Sequence, residues 1–301
     1  MLIVTLLIVA VVVIVWQFVH RTSPLVRRWS TSSFPRRWAG SLSVLDSGPT
    51  GHENDEVLVL LHGLGATGSY FGAFYDGLSR RRRVLIIDLL GFGHSLDEEQ
   101  TEFGVEEHVA ALDQALATLG LESSDVVVAA HSMSSAIALT WANRNSDRVK
   151  RVLLWGPPIY RDEEAARSIG KVHGVMGRLF LMDSGWAERA CRASCQNRDV
   201  SGRMMAMMAP RWPTRLGHDA SRHTWDAYQG SLQSLVLGFD WTEVLPSSVP
   251  VTIFHGDDDP IGDQAYIASI SGDAEMISVP GSDHHVALQH PELLFQHLDA
   301  A

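Results

Sequence analysis

Cysteine is scarce in this chain of 301 residues, which contains only Cys191 and Cys195. The two are four residues apart and could form a disulfide or half of a metal site. No Cys/His cluster that would complete a metal site stands nearby in the sequence, so we interpret them as ordinary thiols facing neighbouring helices. They identify no redox compartment, and we expect no metal and no organic cofactor.

Basic residues are also few relative to acidic ones. The chain has 24 lysines and arginines against 35 aspartates and glutamates, which gives a formal net charge of -11. Since nucleic-acid binding relies on a basic surface for the phosphates, we expect no nucleic-acid partner. Internal repeats and low-complexity tracts are also missing. With 46% hydrophobic residues, the chain is long enough to bury the core of one or two domains.

Polar residues are nearly absent from the N-terminal segment, where Thr5 and Gln17 are the only interruptions in the first nineteen residues. Nineteen helical residues span about 28 Å, which is close to the hydrocarbon thickness of a bilayer. A secretory signal peptide would begin with basic residues and end at a small-residue cleavage site, and neither is present. The pattern predicts a single-pass membrane anchor over residues 1–20.

The segment that follows the predicted anchor is basic, since residues 21–39 contain five arginines and no acidic residue. The positive-inside rule places such a segment in the cytoplasm, so we expect the globular part to face the cytosol. The arginines could also contact anionic lipid headgroups. We predict a basic linker over residues 21–39.

Strand-like and helix-like segments alternate from about Gly40 onward, which predicts an α/β fold with a mostly parallel sheet flanked by helices. Residues 105–119 repeat apolar side chains at three- and four-residue steps, as one buried helix face does. The predicted strands are the apolar runs at 57–61, 84–88, 126–130, 149–155, 251–255 and 274–279. We assign the core of this fold to residues 40–156 and 249–301.

One long segment breaks this alternation. Residues 157–248 have helical composition and no clear core strand. An insertion of about ninety residues in an α/β sheet is usually a functional lid rather than a loop. We predict a helical cap insertion whose methionines and tryptophans either pack in its own core or form an apolar wall over a substrate pocket.

Glycines and ionisable side chains follow the predicted strands, at the edge where ligand and catalytic groups gather in open α/β sheets. These segments are HGLGATG (62–68), LLGFGHS (89–95), HSMSS (131–135), GDDDP (256–260) and PGSDHHVALQHPE (280–292). Ser132 lies at a strand-to-helix turn, as the nucleophile of G-x-S-x-G enzymes does. Ala130 and Ser134 replace both glycines, and their small side chains meet the same steric need.

These segments, in this order, resemble the α/β-hydrolase superfamily over about residues 40–300. The family's chain order of nucleophile, acid and histidine is matched by Ser132, Asp259 and His284. The resemblance implies that His284 removes the proton of Ser132 and that Asp259 orients the imidazole. It also implies an oxyanion hole formed by the backbone N–H groups of Leu64 and Met133.

The same resemblance gives supporting roles to other polar residues at the strand ends. We expect His62 to brace the oxyanion loop and Asp88 to belong to a structural turn. Of two adjacent histidines, His284 precedes Pro291 by seven residues, which is the spacing of the family's catalytic histidine. We expect His285 either to support the loop or to face solvent.

These expectations converge on a membrane-anchored serine hydrolase that cleaves carboxylic esters, with lipophilic or acylglycerol-like esters as the favoured substrates. The same fold and triad also serve C–C bond hydrolases, aminopeptidases and cofactor-free haloperoxidases, so these alternatives stay open. A non-catalytic binding module on this fold is a further alternative, which predicts a damaged triad. The sequence indicates no particular oligomeric state.

Overall fold

The computed structural model describes residues 2–49, 56–168 and 185–299 of the chain. Within these residues, one sheet contains eight strands in the order β1-β2-β4-β3-β5-β6-β7-β8. The strands are β1 (Arg36–Ala39), β2 (Leu42–Asp46), β3 (Val57–Leu61), β4 (Arg83–Asp88), β5 (Val126–His131), β6 (Val149–Trp155), β7 (Val251–Gly256) and β8 (Glu275–Val279). The β1–β2 and β2–β4 pairs are antiparallel, and β3 to β8 pair in parallel.

The six predicted strands are present, with bounds that differ from the observed ones by at most one residue. The first two strands were not predicted, and β1 lies inside the predicted linker 21–39. Only Ala39 of this edge strand is buried, so the sequence shows no alternation of apolar and polar residues there. The sheet therefore begins at Arg36, four residues before the expected start of the core.

Strands β3, β5 and β7 are buried at every position. Leu58 and Leu60 point into one apolar cluster, whereas Val57, Val59 and Leu61 point into the cluster on the other face. Helices Val105–Thr118 and Ser134–Arg144 cover the second of these clusters, and the 3₁₀ helix Gly72–Arg80 and helix Glu292–Asp299 cover the first. Burial on both faces explains why these strands read as continuous apolar runs.

Helices fill the described part of the interval between β6 and β7, and no strand lies there among the described residues. They are Glu163–Arg167, Gly185–Gln196, Arg198–Met208, Thr214–Asp219 and Trp225–Leu232, followed by the π-helical turn Gln233–Leu237 and the 3₁₀ turn Trp241–Glu243. We call this helical interval between β6 and β7 the cap, and an isolated antiparallel bridge between Phe92 and His223 joins it to the loop after β4. The remaining short helices are Pro24–Arg28, Gly68–Tyr70, Gln264–Ile270 and Val286–Gln289.

The N-terminal segment Leu2–Thr22 forms one helix. It covers the predicted anchor 1–20, of which residue 1 and the side chains of residues 2–4 and 6–10 lie outside the described part of the chain. Among the described residues, no helix combines the length and the apolar character needed to cross a membrane. The predicted transmembrane helix is therefore not found there.

The carboxyl-terminal half of this helix and Ser23, which follows it, contact the cap through hydrogen bonds to backbone carbonyl groups. Trp16 Nε1 donates to the carbonyl oxygen of Met207 at 2.7 Å, and Ser23 Oγ donates to that of Arg211 at 2.7 Å. His20 Nδ1 lies 2.9 Å from the same atom of the intervening Pro210. These bonds fix the position of the helix relative to cap residues 207–211.

Candidate active site

Ser132 occupies a sharp turn between strand β5 and helix Ser134–Arg144. Its φ angle is 56°, the left-handed region, and it is the only non-glycine residue with a positive φ in the described part of the chain. Its N–H donates to the carbonyl oxygen of Trp155 at 2.9 Å, which ties the turn to the end of β6. Strain of this kind at a small polar residue is typical of the exposed nucleophile on a strand-to-helix elbow.

The residues that replace the two elbow glycines are completely buried, with 0% exposure at both Ala130 and Ser134. Ser134 Oγ donates to the carbonyl oxygen of Leu61 at 2.9 Å, which links the start of the helix to β3. The close approach that does require glycine lies opposite, at Gly63. A Cβ atom there would lie 3.0 Å from Ser132 Cβ and 2.9 Å from His131 Nδ1.

The structure brings the three residues that were predicted to form a triad together at the carboxyl edge of the sheet. His284 Nε2 lies 2.9 Å from Ser132 Oγ, and His284 Nδ1 lies 2.9 Å from Asp259 Oδ2. The Asp259 side chain is completely buried, and its Oδ1 accepts the N–H of Ile261 at 2.8 Å. Asp259 can therefore hold the proton of His284 on Nδ1, which leaves the lone pair of Nε2 facing the serine.

Gly156, which follows β6, lies directly behind the side chains of His284 and Asp259, where there is no room for a side chain. A Cβ atom there would lie 2.8 Å from both Asp259 Oδ2 and His284 Nδ1, and the φ angle of this residue is +55°. A side chain would therefore push between the two groups. Gly156 allows the hydrogen bond between them to pack directly against the sheet.

Two backbone amides were predicted to form the oxyanion hole. Leu64 lines the cavity above Ser132, and Met133 is the buried residue that follows the serine in the turn. Outside the regular helices and strands, neither N–H donates a backbone hydrogen bond to another described residue. Both amides are thus available to an oxygen atom bound next to Ser132.

His62 is completely buried behind this loop. Its Nε2 accepts the N–H of Leu89 at 3.0 Å, so its proton lies on Nδ1, which donates to the carbonyl oxygen of Gly63 at 2.9 Å. Burial lowers the pKa of His62, which keeps the ring neutral. His62 therefore ties the loop after β3, which carries Leu64, to the loop after β4.

Asp88 also has the structural role that was expected. It accepts the backbone N–H of Gly68 at 2.6 Å and that of His94 at 2.9 Å, and it pairs with Arg36 at 2.6 Å. Burial alone would raise the pKa of Asp88, but the hydrogen bonds of His94 and the charge of Arg36 together lower it to about 2. The carboxylate therefore fixes the loop after β3 to the loop after β4.

Two further histidines, His131 and His285, lie next to the candidate triad. His131 Nε2 lies 2.9 Å from the carbonyl oxygen of His284, and the His131 ring stacks on Tyr70 at a centroid distance of 4.6 Å. His285 packs edge-on against Trp212 at 4.3 Å, so the alternative that it faces solvent is wrong. Burial, and then the proximity of His284, lowers the pKa of His285 to about 3, and the same two causes hold the pKa of His131 well below its usual range. Both rings are neutral at pH 7.

A cavity of about 270 Å³ opens above Ser132, between the core and the cap. Its wall is mostly apolar, with Leu64, Met205, Trp212 and Leu216 among the lining residues. The cap also contributes the carboxylate of Asp219, of which 3% is exposed.

The two oxygens of the Asp219 carboxylate differ in their hydrogen bonding. Oδ2 accepts hydrogen bonds from Arg215 Nε at 2.7 Å and from Ser69 Oγ. Oδ1 is buried and has no hydrogen-bond partner among the described residues, and His218 Nδ1 lies 3.9 Å from it. Asp219 thus holds an unused hydrogen-bond acceptor in the wall of an apolar cavity, and its side chain must turn for Oδ1 to face the cavity.

Two residues of the cavity wall were not identified from the sequence. Tyr70 and Asp219 line it, but neither belongs to a motif at a predicted strand end. Tyr70 follows the HGLGATG segment closely, and this was the only available signal. Asp219 reaches the cavity because the cap helices fold back over the sheet, which no local sequence pattern indicates. Met205 and Trp212 also line the cavity, which is the second of the two positions expected for the methionines and tryptophans of the cap.

With the fold and this geometry in place, comparison with known proteins identifies the family. Residues 58–297 match the alpha/beta hydrolase family, and the chain belongs to it. It is 24% identical over 268 residues to the probable lysophospholipase BODYGUARD 5 of Arabidopsis thaliana, a match that covers 80% of this chain and 60% of that protein. It is 32% identical over 117 residues to the human (lyso)-N-acylphosphatidylethanolamine lipase, covering 36% of this chain and 33% of that protein.

Among solved structures, the chain resembles a bacterial membrane phospholipase A with a TM-score of 0.64 and 21% sequence identity. That match covers 99% of this chain and 96% of the other, and at this identity it shows a shared fold. The chain spans 60% or less of the length of the two curated relatives named above.

Proposed function

We propose that the protein is a serine hydrolase that cleaves carboxylic esters through an acyl-enzyme. The observation that carries this proposal is the pair of hydrogen-bond contacts made by His284, each of 2.9 Å, to Ser132 and to Asp259. A serine hydroxyl is a weak nucleophile unless an adjacent base removes its proton. The base, its orienting carboxylate and a strained serine at the floor of a cavity meet this requirement together.

The proposed reaction runs in two steps. Ser132 Oγ attacks the ester carbonyl carbon while its proton moves to His284 Nε2, and the oxyanion is stabilised by the N–H groups of Leu64 and Met133. The C–O bond to the alcohol then breaks, and His284 returns the proton to the leaving oxygen. Water repeats the sequence on the acyl-enzyme and releases the acid, which restores Ser132.

Lipophilic esters with a hydroxyl or ammonium group in the alcohol part are the substrates we propose. The mostly apolar wall of the cavity suits an acyl chain, and Asp219 Oδ1 suits a hydrogen-bond donor on the leaving group. Acylglycerol-like lipids and lysophospholipids combine both features. The relatives described as a lysophospholipase and as a lipase support this substrate class.

Membrane association through residues 1–20 is a further part of the proposal. The helix Leu2–Thr22 and the cap helix Arg198–Met208 expose large apolar side chains, each between 47% and 68% accessible, that we call the apolar surface: Val11, Val12, Val13, Ile14, Val15, Phe18, Met204, Met207 and Met208. The bond from Trp16 to Met207 joins the two helices. Such a surface suits contact with lipid next to the cavity, and the basic segment 21–39 suits the cytoplasmic side.

Fluorophosphonate labelling tests the nucleophile. The wild-type protein should react at one serine, and Ser132→Ala should abolish the labelling while thermal unfolding changes little. Ser135→Ala is the matched control. Ser135 is a buried serine in the helix that follows the turn, and its hydroxyl has no partner among the described residues. Labelling that persists in Ser132→Ala would refute the assignment.

A pair of substrates tests the role of Asp219. We expect Asp219→Leu to lower kcat/KM for a glycerol monoester by about 10-fold or more, since a hydrogen bond to a charged group is lost. A methyl ester with the same acyl chain lacks the hydroxyl groups and serves as the control. An equal loss on both esters would contradict a role in recognising the alcohol part.

Vesicle flotation tests the membrane proposal. The full chain should float with phosphatidylcholine vesicles, and the double variant Ile14→Glu/Phe18→Glu should bind about 10-fold less, since two exposed apolar side chains become charged. Trp38→Glu is the control, because Trp38 is an exposed apolar residue on β1, outside the apolar surface. Carbonate extraction of the bound protein separates an integral from a peripheral mode, and a protein that never floats would refute both.

A further inference from the structure

The two cysteines of the chain lie beside a histidine that is distant in sequence. Cys191 and Cys195 occupy one face of the cap helix Gly185–Gln196, and their Sγ atoms are 3.7 Å apart. His223 Nε2 lies 3.5 Å from Cys191 Sγ. Because His223 follows Cys195 by 28 residues, the sequence alone offered no third ligand for the pair.

These distances match the edges of a tetrahedral zinc site. With Zn–S bonds of about 2.3 Å and Zn–N bonds of about 2.05 Å, tetrahedral angles place two sulfur ligands about 3.8 Å apart and a sulfur and a nitrogen about 3.6 Å apart. The observed separations are 3.7 Å and 3.5 Å, and all three ligand atoms lie within 4.8 Å of one another. Cys195 Sγ donates to the carbonyl oxygen of His223 at 3.0 Å, so rotation of the Cys195 side chain away from this bond would bring its sulfur to the same ion.

A groove beside Cys195 gives access to the cluster. An open groove of about 470 Å³ is lined by Cys195 and by the neighbouring residues Glu98, Thr224 and Asp226. An ion can reach the sulfur atoms from this side, and water or another oxygen ligand can complete the tetrahedron. Two thiolates and an imidazole are soft ligands that favour zinc over magnesium or calcium.

We propose that Cys191, Cys195 and His223 bind one zinc ion that fastens the cap helix Gly185–Gln196 to the cap segment held by the core. The segment that carries His223 is already tied to the core, because Gly93 N–H donates to the carbonyl oxygen of Arg222 at 2.8 Å. A bound ion adds a second tie, from this segment to the helix Gly185–Gln196. The ion would lie outside the cavity above Ser132, so its role is structural.

The position of the site relates it to the cavity wall. Ala220, which lines the cavity, is only three residues from His223. The His223 ring lies 5.1 Å from the ring of Tyr228. Tyr228 in turn lies next to Gly65 of the oxyanion loop, since a Cβ atom on Gly65 would be 3.7 Å from the Tyr228 ring. Fixing His223 therefore limits the movement of the cap next to the oxyanion loop.

The test is a metal titration of the full chain after removal of bound metal under reducing conditions. Zinc should bind in one equivalent, and cobalt in its place should give the intense thiolate-to-metal charge-transfer absorption of sulfur ligands. Cys191→Ser, Cys195→Ser and His223→Gln should each weaken zinc binding about 100-fold or more, since even the loss of an outer-shell partner costs roughly 10–100-fold. His290→Gln, which alters an exposed histidine paired with Glu292, should change nothing.

Thermal unfolding provides the second measurement. Zinc at about 100 times its Kd should raise Tm by about 5 °C in the wild type and leave the cysteine variants unchanged. Serine is nearly the same size as cysteine, so these variants should fold even if His223→Gln does not. Three results would overturn the proposal: wild-type binding no tighter than that of the double serine variant, no charge-transfer band with cobalt, or a disulfide that persists in reductant.

Zinc binding without any change in Tm would overturn the fastening role. None of these measurements depends on turnover. The zinc proposal can therefore be refuted without refuting the proposed ester hydrolysis, and the reverse also holds.

Discussion

Replacing each of the two adjacent histidines by alanine separates the proposed base from its neighbour. His284 Nε2 lies 2.9 Å from Ser132 Oγ, and no such contact is found for His285 among the described residues. His285 Nδ1 instead lies 3.3 Å from the hydroxyl oxygen of Tyr70. His284→Ala therefore removes the acceptor of the serine proton, whereas His285→Ala removes packing against Trp212.

The expected magnitudes follow from these contacts. Loss of a triad member lowers turnover by about 10⁴-fold, which corresponds to about 5.4 kcal/mol of transition-state stabilisation. Loss of the His285 ring enlarges the cavity and removes an aromatic contact, so we expect a decrease of about 10-fold or less, about 1.4 kcal/mol. The two adjacent substitutions should thus differ by about three orders of magnitude.

The assay is kcat on a short, water-soluble ester, with circular dichroism to verify that both variants fold. Added imidazole can occupy the space vacated in His284→Ala and should restore part of its turnover, but it should not help His285→Ala. If His285→Ala is inactive and His284→Ala keeps most of its activity, the base has been misassigned by one residue. Equal losses in both variants would mean that His284 acts only through packing.

Three further predictions concern stability. The folded-state pKa of Asp88 is about 2, against an ordinary value of 3.8. Its ionised form therefore adds about 2 kcal/mol to the free energy of unfolding above pH 4, and this contribution is lost as the pH falls towards 2. Urea unfolding of the wild type and of Asp88→Asn between pH 5 and 2.5 measures the loss. Arg36→Ala should cost about 2 kcal/mol by urea unfolding, since it leaves the buried Asp88 without its ion pair, and Arg37→Ala should cost less than 1 kcal/mol because Arg37 is half exposed. Deletion of residues 2–15 should keep the fold and the turnover of a short ester, whereas deletion of residues 1–38 should unfold the protein, because β1 is removed; soluble, active protein from the longer deletion would show that β1 is dispensable.

The parts of the fold that were predictable are those that local chemistry determines. Strands β3, β5 and β7 are buried at every position, so most of their residues are apolar, and glycines or ionisable groups stand at their carboxyl ends. Because those ends lie at one edge of a parallel sheet, residues as distant as Ser132 and His284 could be placed together before the structure was known. Their contact at 2.9 Å agrees with that placement.

Features that depend on one segment folding over another were not predictable. Strand β1 was missed because three of its four residues are exposed and its arginines resemble a solvated linker. His223 joins Cys191 and Cys195 only because the cap helices fold against one another. Asp219 reaches the cavity for the same reason, from a helix whose sequence indicates nothing about its burial.

The cap residues that line the cavity are positioned from two sides, and this links the separate proposals. On one side, Trp16 and His20 of the N-terminal helix contact the carbonyl groups of Met207 and Pro210, next to the lining residue Ala209. On the other side, His223 follows the lining residue Ala220 and contacts Cys191. A lipid surface that moves the N-terminal helix and a metal ion that fixes the cysteine helix would therefore act on the same wall. Both would change how the cavity admits an ester without touching the residues that cleave it.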